Sequence, residues 1–166
     1  MEKKGQAAME FLMTYGWAIL VAIIAIGVLA YYGVFSPGKF VSSAATVNAP
    51  FGISGNDYNI LSTATDASND GTVNLNMIQN SGDTISNATI IINGTGTMAG
   101  VGCMNSTVID WNSGVSKTIV IECTDGASTD PMTTGGSFGG NIAITYIKQG
   151  STLPQQASGT IRGSIQ

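Results

Sequence analysis

The chain has 166 residues, with 6 basic and 10 acidic side chains, no histidine and a formal net charge of −4. That length allows one ordinary domain plus an appended segment, and charge, at 10% of residues, is far below the roughly 25% of ordinary soluble domains. Residues 41–166 hold eight acidic and three basic side chains, net −5, which offers no electrostatic footprint for nucleic acid. Without histidine the commonest general base and metal ligand are missing. No clustered carboxylates or nucleophile setting replace it, so the sequence points away from an enzyme and calls for no cofactor.

The first element is an apolar helix. Residues 11–38 carry no charge, and Phe11 to Phe35 is almost continuously apolar. Those 25 residues make about 37 Å of helix, enough to cross a hydrocarbon core of about 30 Å. Gly16, Gly27 and Gly33 are tolerated in lipid, where small residues let helices approach closely. Tyr15 and Trp17 near one end, and Tyr31 and Tyr32 near the other, suit the two membrane interfaces. Pro37-Gly38 is a stop signal. Lys3 and Lys4 belong on the cytoplasmic side, which places the bulk of the protein outside. A cleaved secretory signal has a shorter apolar core, about 7 to 15 residues, and ends at a small-residue site that is missing here. A plain single-pass anchor accounts for the helix but not for Glu10, because a carboxylate at the lip of a membrane helix needs a partner.

The run Lys3-Lys4-Gly5-Gln6-Ala7-Ala8-Met9-Glu10-Phe11-Leu12 resembles the class III signal peptide of archaeal type IV pilins. The resemblance covers roughly the first 37 residues. It implies that a membrane prepilin peptidase cuts between Gly5 and Gln6 and leaves the helix on the mature protein, with Glu10 as its fifth residue. Pairing of the Glu10 carboxylate with the new α-amine of a neighbouring subunit is then expected to set assembly register, because an unpaired buried charge is costly. It further implies a filament of identical subunits built by an ATP-driven platform, the membrane before assembly and the cell surface after it. Bacterial relatives usually begin with a methylatable phenylalanine where this chain has Gln6. Archaeal swimming-filament subunits share the helix but typically lack the Gln-x-x-x-Glu-Phe-Leu run. That archaellum-type assignment stands as an alternative, as does a membrane-held adhesion module that never polymerises or enters filaments as a minor component.

Beyond residue 40 the period becomes two. Val73, Leu75 and Met77; Ile119, Ile121 and Cys123; Ile142, Ile144 and Tyr146; and Ile161, Gly163 and Ile165 each occupy alternate positions, which argues half-buried strands. Turn signals separate them at Asn80-Ser81-Gly82-Asp83, Asn93-Gly94, Asn112-Ser113-Gly114, Asp125-Gly126 and Gln149-Gly150. The pattern predicts six to eight short strands in an all-β, Ig-like sandwich, so the whole chain reads as α+β. Gly71 to Thr95 reads as a hairpin turning at Asn80 to Asp83. The expected division is a leader at 1–5, the assembly or transmembrane helix at 6–37, a linker at 38–48 and the β-domain at 49–166.

Three features remain. Cys103 and Cys123 predict a disulfide if this region lies outside the cell. Asn87-Ala88-Thr89, Asn93-Gly94-Thr95 and Asn105-Ser106-Thr107 each match the N-glycosylation pattern, on a surface short of charge that glycans would hydrate; the same asparagines also suit turns and polar strand faces. Asp66, Ser68 and Asp70, followed by Gly71, imitate the first half of a calcium loop, but Met77 stands where the bidentate glutamate belongs. An Asx-rich turn is the simpler reading there, and Gly135 to Gly140 reads as a flexible exposed loop rather than a phosphate loop.

Overall fold

The computed structural model describes residues 3–32, 42–66, 69–105, 107–124 and 132–166. Helix α1 spans Lys3–Tyr31, and nine strands follow among the described residues: β1 (Ala44–Val47), β2 (Phe51–Asp66), β3 (Asn69–Gln79), β4 (Ile85–Gly94), β5 (Gly102–Met104), β6 (Ile109–Trp111), β7 (Ser116–Thr124), β8 (Ser137–Lys148) and β9 (Gln155–Ser164). All pairings are antiparallel. The sheet order is β1-β9-β8-β4-β5-β7-β3-β2, with β6 added on β4. The ends of this path almost meet, because Gln166 N–H donates to Ile60 O (2.9 Å) and Ser62 N–H donates to Gln166 O (3.0 Å). Tyr58 O–H reinforces that seam by donating to Arg162 O (2.7 Å). Burial pushes the Tyr58 phenol above its usual pKa, partly offset by a hydrogen bond with Ser43. The result is a nearly closed barrel or sandwich.

Its core follows from the alternation. Val73, Leu75 and Met77 of β3, Ile119, Ile121 and Cys123 of β7, Ile142, Ile144 and Tyr146 of β8 and Ile161 of β9 all point inward and are buried, because successive side chains on a strand take opposite faces. In β4 the inward set is Ile85, Ala88, Ile90 and Ile92, which breaks the period once. A bulge at Asn87 (φ 53°) absorbs the extra residue, and asparagine is among the few residues that accept that conformation.

Several expectations change. Gly71 to Thr95 is not a hairpin: β3 pairs with β2 and β7, while β4 pairs with β5, β6 and β8. The chain arches from one half of the barrel to the other. Buried Gln79 holds the arch: its Nε2–H donates to Asp83 O (2.7 Å) and to Trp111 O (3.4 Å), and its Oε1 accepts from Ser81 N–H (2.8 Å). A turn signal marks reversal of the chain but not which neighbour each strand takes. The segment expected as a linker contains β1, paired with β9 from Ala44↔Arg162 to Val47↔Gly159, so the β-domain begins before residue 49. Asn93-Gly94 lies within β4 rather than at a turn. Ser137 to Gly140 is the start of β8, with Phe138 buried, rather than a flexible loop. A Cβ at Gly140 would fall 2.7 Å from Ile92 Cγ2, so that glycine permits close strand packing. Asp125-Gly126 and Pro37-Gly38 lie outside the described residues.

The largest fully buried side chain is Trp111. Its Nε1–H donates to Val115 O (2.6 Å), and its ring lies 5.7 Å from that of Phe51, which meets Tyr146 edge-on at 5.1 Å. Trp111→Ala should therefore destabilise the domain by about 3–5 kcal/mol. A urea titration of the full chain in detergent would show a lower midpoint with an unchanged slope; an unmoved midpoint would contradict this packing.

Candidate functional site

The feature that distinguishes this chain is α1. Its 29 residues extend about 43 Å, and the bonds around Gly5 and Gln6 lie within it. Met9, Phe11, Met13, Tyr15, Trp17, Ile19, Leu20, Val21, Ile23, Ile24 and Ile26 are all exposed. Consecutive apolar positions cover every side of the cylinder, so no face is suited to water. The stretch Met13–Tyr31 is long and apolar enough to cross a membrane, with none of it buried against the rest of the protein. By those criteria it serves equally a membrane anchor or a signal sequence.

Glu10 sits at the head of this stretch with its side chain exposed, and its carbonyl accepts the Thr14 hydroxyl (2.8 Å). The rings of Phe11 and Tyr15, one turn apart, meet at a tilt of 37° with centroids 4.9 Å apart. If the chain were cut after Gly5, Glu10 would stand near the start of the remaining helix, where a carboxylate complements the helix dipole. Gly5 and Gln6 themselves lie in the first turn of α1.

The β-domain separates the three sequons. Asn87 is exposed on its bulge, its N–H donating to Asp110 Oδ1 (3.3 Å). Asn93 is exposed on the outer face of β4, between Gly102 of β5 and Asn141 of β8. Asn105 is buried at 6% exposure. Its Oδ1 accepts from Ile90 N–H (2.6 Å) and its Nδ2–H donates to Thr107 O, so the side chain replaces a strand beside β4. Parity carried that signal, since Val101, Cys103 and Asn105 share one face and all three are buried. Ser106 of this sequon lies outside the described residues.

Cys103 and Cys123 form a disulfide and are direct cross-strand partners on β5 and β7. Asp66 pairs with Asn69 at the end of the β2–β3 hairpin, and Ser68 lies outside the described residues. Gly71, which resembled the glycine of a calcium loop, has a different role. A Cβ there would meet Leu61 O at 2.5 Å and Met132 Cε at 2.8 Å, so close packing explains it. Among the described residues no three His, Cys, Asp or Glu side chains are grouped to hold a metal ion. No known family model matches the chain, and no curated protein matches it.

Proposed function

We propose that this chain is the structural subunit of an archaeal type IV pilus-like surface filament, serving adhesion. The observation that carries the reading is α1: a helix apolar on all sides, headed by Lys3-Lys4-Gly5-Gln6 and then by Glu10. Such a rod is stable in lipid or among copies of itself, and not in water. In this reading a prepilin peptidase cuts between Gly5 and Gln6, which removes the basic leader that ties the helix to the cytoplasmic leaflet. The helix then leaves the bilayer for the filament core, and an assembly ATPase drives the extraction. That transfer gains little hydrophobic energy because both surroundings are apolar. Packing at Gly16 and Gly27 and a charge pair made by Glu10 supply the selectivity.

The β-domain forms the coat. Its all-antiparallel strands, enclosing one apolar core, suit an Ig-like module in that role. The outward asparagines Asn87 and Asn93 support a glycosylated exterior, whereas Asn105 is already committed to holding β4. Peptide mapping of the surface protein should find glycan on Asn87 and Asn93 and an unmodified Asn105. Glycan on Asn105 in folded protein would contradict the burial. The deciding experiment is mass spectrometry of the N-terminus from sheared surface fibres. It should read Gln6 or its cyclised form; intact Met1 on isolated fibres, or a protein found only as dispersed membrane monomers, would overturn the proposal.

A further inference from the structure

We infer that the outer face of β2, β3 and β7 carries a calcium-binding site, distinct from the loop at Asp66 to Asp70. The face is unusual in its amides. Asn59 of β2 and Asn74 of β3 are direct cross-strand partners, and both side-chain oxygens are shut off from water without a hydrogen-bond donor. An orphaned buried carbonyl costs about 1–3 kcal/mol, and two side by side demand an explanation. They line a depression of about 240 Å³ together with Asp57, Asn76, Thr118 and Val120. Asn76 Nδ2–H donates to one Asp57 oxygen (3.0 Å), which fixes the carboxylate beside the amides.

The lining residues therefore include one carboxylate, two amides whose carbonyl oxygens lack donors and the Thr118 hydroxyl, beside Tyr58, whose own hydroxyl is engaged with Arg162 O, and no lysine or arginine is among them. Hard oxygen donors of this mixed kind suit calcium, which takes 6–8 oxygens in flexible geometry and accepts water in the remaining positions. Magnesium demands a near-ideal octahedron and parts with its water reluctantly. A zinc-like ion would want nitrogen or sulfur, and the depression is lined by neither cysteine nor histidine. The three strands are rigidly paired, from Tyr58↔Leu75 to Ser62↔Gly71 on one side and from Gly71↔Cys123 to Ile78↔Ser116 on the other. That pairing fixes the backbone beneath Asn59, Asn74 and Thr118, while Asp57 lies at the register shift before Tyr58 and is held by the hydrogen bond from Asn76. One charged ligand and a share of water place the affinity with the extracellular modules, about 10⁻⁴–10⁻³ M. The site would fill at millimolar calcium and would bridge β2 to β3 and β7, the half of the barrel that ends at the β2 seam. The inference stands whether or not the chain polymerises.

The test is thermal unfolding of the full chain in detergent micelles, stripped of metal and then titrated with calcium chloride at constant ionic strength. At a ratio of about ten between free calcium and Kd, the folding equilibrium should move about 11-fold toward the native state. Magnesium should do markedly less. Asp57→Asn should fold and lose the calcium response, and Asn74→Asp should enlarge it. Three results would overturn the inference: a midpoint indifferent to calcium, an equal response to magnesium, or an undiminished response in Asp57→Asn. Nuclear magnetic resonance supplies an independent reading, since the Asn59 and Asn74 side-chain NH₂ signals should shift with calcium. Signals already showing a mutual amide hydrogen bond, and unmoved by calcium, would also refute it.

Discussion

Replacing Cys103 and Cys123 together by alanine should remove about 3 kcal/mol of stability, the chain-entropy value for a loop of this size; their sequence separation is 20. That is a large share of the 5–15 kcal/mol that holds an ordinary domain. The topology determines where the loss appears. Strand β5 has three residues, Gly102–Met104, and it is the sheet's hydrogen-bonded link between β4 and β7. Pairing over so short a strand is weak by itself, and the cross-link fastens its central residue to β7. Without it, β4 and β7 should separate before the rest of the barrel unfolds. Hydrogen exchange should accelerate first at Ile91 to Asn93 and Gly102 to Met104, while Ile142 and Ile144 on β8 remain protected. A uniform acceleration across all strands would show that the cross-link acts only on the unfolded chain.

In the proposed assembly, Glu10→Ala should reduce the yield of surface filaments by about a hundredfold or more while leaving the membrane-held precursor at its usual level. Cleavage after Gly5 would create an α-amine with a pKa of about 7.7–8.0 at the tip of the helix. Between Lys3 and Asp57 the sequence has one carboxylate, Glu10, so an incoming amine in the filament core has one class of acid to meet. Removing one member of a buried charge pair costs about 3–5 kcal/mol, which corresponds to that loss in yield. Glu10→Gln should fail nearly as fully, because it keeps the shape and loses the charge. Quantifying subunit in sheared fibres against membranes gives the ratio directly. Normal yield from Glu10→Ala would remove the pairing argument. Cyclised Gln6 has no amine, so fibres rich in that form should depend less on Glu10.

Both element types were legible in the sequence because each leaves its own period. Phe11 to Phe35 is almost continuously apolar over 25 residues, too long for a strand, which fits a helix without a wet side. Leu75 and Met77, or Ile142 and Ile144, alternate with polar neighbours and end buried in the barrel. Partnership between strands was not legible, because Asn80-Ser81-Gly82-Asp83 looks the same whether the chain folds back on its neighbour or arches across a core. The difference lies in Gln79, whose amide is buried by the arch and satisfied by it. The burial of Asn105 was not legible for a related reason: a sequon is defined by three residue types, whereas the Ile90 N–H from which Asn105 Oδ1 accepts lies on β4, fifteen residues away. The glycines at 71 and 140 suggested loops, whereas their role is to let β3 and β8 lie close to their neighbours.

The pairing of β1 with β9 has a temporal consequence. Thr46 sits opposite Thr160, so the first strand among the described residues cannot complete its hydrogen-bonded pairing until the last has formed. Contacts so distant along the chain form slowly, since the intervening polypeptide must be confined first. Registration of β1 on the sheet is therefore a late event in folding, completed only once β9 is in place.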